Sequence, residues 1–291
     1  NDWLKNNIMN NEKIGFDHWL HTLNEVSNLK NEFKGSNKLK KVKNIVDKLW
    51  IDKPIDEVSK IFKLPKRFSG ETYSSKISAI NNVKNEINAD FIIYTSPESI
   101  CWLANIRGFD IPNTPSIKLY AIQGKDCQLD IFINKEKLSK DLIKSFNPEI
   151  KFINLHLFEK KIKKLKGKIW IDGNNCPSAV KDFLCPKKVK IINKIDPIII
   201  KKSIKNNVEI RNSRLAHRKD GLAMINLLYW IEKNKKSKLT ELEIIETLSN
   251  LRQKGANYFG PSFDTICGSG PNGAIIHYRA NQQTNRIIRN G

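Results

Sequence analysis

A run near the C-terminal end holds the residues best suited to chemistry: Ser262-Phe263-Asp264-Thr265-Ile266-Cys267-Gly268-Ser269-Gly270-Pro271-Asn272-Gly273-Ala274-Ile275-Ile276-His277-Tyr278. Phe263 to Cys267 is β-compatible, a glycine-rich turn with Pro271 and Asn272 follows, and Ala274 to Ile276 delivers one histidine. Glycine and asparagine tolerate the positive φ of tight turns, so the pattern predicts a hairpin that fixes the direction of His277. An imidazole at a strand end, beside exposed backbone amides, can donate a hydrogen bond to developing negative charge. A lone histidine there can equally be a structural residue satisfied by its neighbours. Gly268, Gly270 and Gly273 also match a nucleotide-loop spacing. That loop must run straight into a helix, whereas Pro271 sits inside this one and Ala274-Ile275-Ile276 favours a strand.

The other reactive side chains are poorly placed for catalysis. His217 stands in a helix rich in Arg and Lys with no ligand partner four residues on, which predicts a solvated or interhelical position. His18 and His21 lie three apart on a helical pattern, with nothing acidic or sulfur-bearing set to complete a metal site, and read as surface. His156 begins a helix and acts locally. Arg107, within Trp102-Leu103-Ala104-Asn105-Ile106-Arg107-Gly108, is a charge in apolar surroundings. It either pairs a carboxylate structurally or reaches a neighbouring subunit. Ser96, Ser262 and Ser269 have no nearby histidine and no Gly-x-Ser-x-Gly elbow, which disfavours serine-hydrolase chemistry.

The elements that position these groups alternate along the chain. Phe16 to Leu29 has helical spacing and a polar stretch through Gly35 and Ser36 follows; Lys38 to Trp50 is a basic connector with Val42, Ile45, Val46 and Leu49 on one face. From about Ser75 to Asn193 helices and strands alternate. Strands are expected at Phe91 to Tyr94, Ile117 to Ile122, Gln128 to Ile133, Ile150 to Ile153, Lys168 to Ile171 and Val189 to Ile192. A hairpin about Gly124-Lys125-Asp126 joins the second and third. Helices are expected at Ser75 to Asn88, Pro97 to Leu103, Lys137 to Phe146, Leu157 to Leu165 and Pro177 to Leu184. Hairpin and crossover connections together predict an α/β fold with a mixed sheet. A longer helix runs from about Asn207 to Asn234 with Leu215, Leu222, Ile225 and Tyr229 on one face. A second, opened by Thr240 and Glu243 as a capping box, runs to Lys254 and stops at Gly255.

With 291 residues, 40% of them hydrophobic and 9% aromatic, the chain can bury cores for about two domains. No run of about eighteen apolar residues is present to span a membrane, and the start has no signal-peptide pattern. Five cysteines at irregular spacing, with no Cys-x-x-Cys, read as reduced thiols of a cytoplasmic protein. The net charge of +21, from 51 basic and 30 acidic residues, is mostly lysine spread along the chain. The runs Lys38 to Lys43 and Lys160 to Lys168 carry no interleaved aromatics for base stacking, so a solvated basic surface is expected and no nucleic acid.

Ser262 to Tyr278, followed by Thr284-Asn285-Arg286, resembles the pita-bread metallopeptidases, and among them the Xaa-Pro aminopeptidases (aminopeptidase P). Lys205-Asn206 through Glu209, Arg211, Arg214, Ala216, His217 and Asp220 resembles the helix that opens their catalytic domain. Trp102 to Gly108, and Asp47-Lys48-Leu49-Trp50 ahead of Pro54, resemble segments of the long, three-domain form. The resemblance implies creatinase-like, ribonuclease H-like N-terminal domains followed by the beginning of a pita-bread catalytic domain. It divides the chain into residues 1–48 (remnant of a first N-terminal domain), 49–200 (the second) and 201–291 (the truncated catalytic domain). It implies hydrolysis of peptides with proline in second position by metal-bound hydroxide, two Mn2+ ions and a homodimer. His277 is then the catalytic, substrate-binding residue that hydrogen-bonds the scissile peptide. The implied metal ligands, two Asp, one His and two Glu, are expected beyond Gly291. The chain therefore reads as a fragment, cut at both ends and inactive alone. A prolidase or creatinase relative and a non-catalytic pita-bread binding protein are the alternatives.

Overall fold

Runs of consecutive, mostly apolar buried residues explain the main sheet. The structure, a computed structural model, describes residues 2–9, 12–33, 38–54, 59–124, 126–146 and 148–289. It divides into a first unit of residues 1–111 and 115–204 and a second of 112–114 and 205–291. Strands of the first unit are β1 (Ile14–Phe16), β2 (Leu39–Lys41), β3 (Phe62–Lys63), β4 (Phe91–Tyr94), β5 (Ile106–Arg107), β6 (Tyr120–Gln123), β7 (Leu129–Ile133), β8 (Ile150–Asn154), β9 (Gly167–Ile171) and β10 (Val189–Asn193). Six of them form one sheet in the order β10-β9-β4-β6-β7-β8. The pairs β10/β9, β9/β4 and β7/β8 are parallel; β4/β6 and β6/β7 are antiparallel. The mixed α/β architecture expected from the sequence is thus present. The hairpin of β6 and β7 is present too, although Lys125 of its turn lies outside the described residues, as do Gly35 and Ser36.

Along β7, Leu129, Ile131 and Ile133 enter one core with Ile77, Ile80, Ile100 and Leu103, while Phe132 enters the other with Phe158, Ile162 and Val180. Successive side chains point to opposite faces, so a strand with apolar residues on both must be covered on both. The helices Tyr73–Glu86 and Pro97–Leu103 supply one cover, and Phe158–Ile162 and Ser178–Phe183 the other. Polar inclusions break the apolar pattern, Lys76 among them. Lys76 is 1% exposed, lies 3.8 Å above the Trp102 ring, and donates to Trp102 O (3.0 Å) and Asn105 Oδ1 (2.8 Å).

The N-terminal region departs from its sequence reading. Instead of one helix from Phe16 to Leu29, β1 ends at Phe16, a turn follows Asp17, and the helix Leu23–Glu32 starts after Thr22. The cause is local: Thr22 and Glu25 form a reciprocal capping box that fixes the start. Lys38 to Trp50 has no single apolar face either. It splits into β2, paired to β1, and a four-residue helix Val46–Leu49, with Ile45, Val46 and Leu49 exposed. The expected helix from Lys137 to Phe146 shortens to Lys140–Lys144, capped by Ser139.

The second unit is led by two helices, Asn207–Asn234 and Glu241–Gln253. Asn206 with Glu209 and Thr240 with Glu243 cap them reciprocally, as the Thr240 pattern predicted. Their seam is not the expected one. Ala223 and Leu227 pack with Ile244 and Leu248, whereas Leu215, Leu222, Ile225 and Tyr229 are exposed. The long helix carries apolar residues on two sides, and the seam uses the i, i+4 pair with the smaller footprint. Among the described residues no helix is long and apolar enough to cross a membrane.

Candidate functional site

The glycine-rich segment is not a hairpin. No strand forms at Phe263 to Cys267 or at Ala274 to Ile276, and Gly270–Ala274 is a single 3-10 turn. Pro271 has no N–H to give a ladder. The segment's polar groups go instead to one carboxylate on the neighbouring helix. Glu241, at the first position of the helix Glu241–Gln253, is 0% exposed. Its Oε1 accepts from Ser269 N–H (2.5 Å) and Asn272 Nδ2 (3.1 Å). Its Oε2 accepts from Tyr278 OH (2.7 Å), Asn272 Nδ2 (3.1 Å) and Arg286 N–H (3.2 Å). Burial pushes this carboxyl up, but the bonds from Tyr278, Ser269, Asn272 and Arg286 outweigh it and hold Glu241 below its usual range. The Tyr278 phenol is raised, first by burial and then by Glu241, its bond to Thr284 notwithstanding.

Asn272 ties the same knot, with Nδ2 also 2.8 Å from Tyr278 OH and 2.9 Å from Thr284 O. Backbone pairing closes it: Glu241 N–H donates to Arg286 O, Ile288 N–H donates to Leu239 O, and Thr240 bridges Ile287. Gly268 is required by close approach, since a Cβ there would lie 3.0 Å from Asn272 O. Gly270, at φ 57°, takes a left-handed conformation that glycine adopts without strain.

His277 follows directly. It is exposed, sits between Ile276 (85% exposed) and buried Tyr278, and has φ 58°, a left-handed conformation uncommon for a residue with a Cβ. His277 therefore sits on a turn pinned to Glu241 through Asn272 and Tyr278, not at the end of a hairpin strand.

The remaining candidates lie apart from it. His217 is exposed on the long helix, its Nδ1–H donating to Ser213 O at 2.8 Å. It lines a groove of about 660 Å³ with Asp220, Arg252, Asn257 and Ser262. A second groove, of about 350 Å³, is lined by Arg252, Tyr258, Asp264 and Arg279, and His277 lines neither. His18 was read without an acidic partner, but the fold brings Asp182 to within 2.7 Å of its Nδ1, across 164 residues of sequence. His21 packs its ring edge-on to Phe16. His156 sits in the turn Leu155–Leu157. Arg107 donates from Nη1 to Cys101 O and Ile106 O. Ser96 Oγ donates to Glu98, and Ser269 contributes its backbone amide to Glu241. All five cysteines are free. Among the described residues no three His, Cys, Asp or Glu side chains gather where they could hold a metal ion.

The sequence reading missed Glu241, the residue that organizes the site. A Thr-Glu pair at a helix start is favoured by capping and by the helix dipole alone. Nothing in that local pattern shows the carboxylate turned inward.

Residues 52–209 match the family model of the creatinase/prolidase N-terminal domain, and residues 211–291 match metallopeptidase family M24. Xaa-Pro aminopeptidase 1 of Dictyostelium discoideum is 30% identical over 312 residues, covering 100% of this chain and 48% of its own length. Probable Xaa-Pro aminopeptidase P of Paracoccidioides brasiliensis is 30% identical over 307 residues, covering 99% and 50%. The crystal structure of X-prolyl aminopeptidase from Caenorhabditis elegans, described as a cytosolic enzyme with a di-nuclear active site, superposes with a TM-score of 0.88 at 25% identity, over 99% of this chain and 48% of that one. The chain thus spans about half the length of the relatives it matches.

Proposed function

Because the chain belongs to the creatinase/prolidase N-terminal domain family and continues into a metallopeptidase family M24 segment, we propose that it is part of a peptidase that releases the residue preceding an N-terminal Xaa-Pro bond. The observation that carries the proposal is 30% identity to Xaa-Pro aminopeptidases over the whole chain, the His277 segment included. Such a bond suits a dedicated enzyme, since proline nitrogen has no hydrogen and its ring fixes the backbone.

His277 is the group this chain offers to the reaction. An exposed imidazole N–H aimed at the carbonyl oxygen of the scissile peptide bonds more strongly as negative charge grows there, which lowers the barrier to attack. The described residues do not themselves fit a metal, so no step is derived through one. The same proposal takes the ions to be two Mn2+ held elsewhere in the whole protein, the working assembly to be a homodimer and the compartment to be the cytoplasm. The di-nuclear, cytosolic description of the Caenorhabditis elegans enzyme supports the metal count and the compartment.

The test is mass-spectrometric assay of Xaa-Pro peptides with the whole, metal-loaded protein and its His277→Ala variant. Loss of one such donor lowers kcat about 100- to 1,000-fold, with bound metal unchanged. Peptides left intact by the metal-loaded wild-type protein would refute the activity. Equal turnover by wild type and variant would refute the role of His277.

A further inference from the structure

We infer that Glu241 is the positioning residue for His277, acting through Tyr278 and Asn272. The inference rests on the reading of His277 given above. Asn272 and Tyr278 are buried, at 7% and 5% exposure, and all the residues between them, Gly273 to His277, are exposed. Both ends of the exposed loop are bonded to the same carboxylate, and within it Ile275 N–H donates to Asn272 O and Tyr278 N–H to Ile275 O. His277 is the last residue before the second anchor, one peptide bond from the phenol that Glu241 holds at 2.7 Å. Its left-handed φ of 58° is a conformation that relaxes unless its surroundings over-determine it. Tyr278 supplies that restraint on one side. On the other, Asn272 bonds both the carboxylate and the Tyr278 oxygen.

The chemistry of the site selects a carboxylate. The Ser269 and Arg286 backbone N–H groups can only donate, one to each oxygen, and Asn272 Nδ2 and Tyr278 OH complete the set. Glutamate accepts on both oxygens; glutamine would place an NH2 against those donors. Charge-assisted bonds to a buried anion are also the strong ones. Glu241, Asn272 and Tyr278 form a buried cluster. Its effect on reaction passes entirely through the direction of the imidazole.

The experiment uses protein labelled with 13C at histidine Cε1, with the His277 signal assigned by its loss in His277→Gln. In Glu241→Gln and in Tyr278→Phe, the His277 signal should move or split while those of His18, His21, His156 and His217 stay. Amide exchange at Ser269 and Arg286 should quicken by about tenfold or more in Glu241→Gln. In the peptidase assay kcat should fall about 10- to 100-fold, the scale of a misdirected group, with KM within about twofold of wild type. Tyr278→Phe carries the test if Glu241→Gln does not fold. A folded variant with the His277 signal and amide exchange unmoved overturns the inference, as does a kcat that falls only with the folded fraction. If His277→Ala keeps full turnover while Glu241→Gln still shifts the imidazole, the catalytic reading of His277 fails and the positioning by Glu241 stands.

Discussion

Replacing Asp110 should separate the value of a buried charge from that of its hydrogen bonds. Its carboxylate, with the side chain 2% exposed, accepts from Ser59 Oγ (2.6 Å), Lys118 N–H (2.8 Å) and Lys137 Nζ (2.6 Å), the last with its side chain 9% exposed. Burial pushes this carboxyl up, but Lys137, Ser59 and Lys118 together hold it below the usual range. In Asp110→Ala all three donors lose their acceptor at once. Breaking a buried ion pair costs about 3–5 kcal/mol, and the slight exposure of Lys137 places this case near 3 kcal/mol. In Asp110→Asn the amide can turn its oxygen to Lys118 and Lys137 and its NH2 to Ser59 Oγ. Lys137 keeps an acceptor but loses its counter-charge, so the cost falls between about 1 and 3 kcal/mol. Urea unfolding at pH 7, followed by tryptophan fluorescence, measures both. Equal costs for Asn and Ala would refute the bond-by-bond reasoning, and a cost under about 1 kcal/mol for Ala would refute the claim that the ion pair is buried. The pH dependence carries the opposite sign to a buried neutral acid. A lowered carboxyl contributes stability above the unfolded value of about 3.9 and loses it as pH falls through the folded one. Acid should therefore narrow the gap between wild type and Asp110→Asn.

Gly167→Ala should cost about 1–3 kcal/mol, because Gly167 has φ 98° and a Cβ there would meet Asp90 Oδ2 at 2.2 Å; a neutral result in the same urea assay would refute it. Cys176, 1% exposed and with its thiol pushed up by burial to about 12, should resist iodoacetamide at pH 8 in the folded protein while half-buried Cys185 reacts, as read by peptide mass spectrometry.

The first unit was legible because its strands state their own environment. Phe91 to Tyr94 is apolar at every position and Leu129 to Ile133 at all but Asp130, a pattern that only a sheet covered on both faces satisfies. Pro97 and Thr240 marked helix starts through effects confined to one turn. What was not legible depended on partners remote in sequence. Asp182 reaches His18 only after Ser178–Phe183 packs beside the first turn of the chain. The long helix offered two apolar sides, and periodicity alone could not rank Leu222 and Ile225 against Ala223 and Leu227.

The site shows the same limit in sharper form. A turn was readable: glycine, proline and asparagine ahead of a histidine announce a constrained loop presenting an imidazole. Its construction was not, because a hairpin and a knotted loop use the same residues. The two differ in where backbone and side-chain donors find acceptors. In a hairpin the second strand supplies them, and His277 would be fixed by a ladder. Here Glu241 supplies them from 36 positions upstream of His277, and the histidine takes a left-handed φ that a regular strand would not allow. A ladder shares restraint among many weak bonds, so that losing one barely turns a side chain. A single buried carboxylate concentrates it, and the direction of His277 becomes sensitive to one atom pair, the Tyr278 oxygen and Glu241 Oε2.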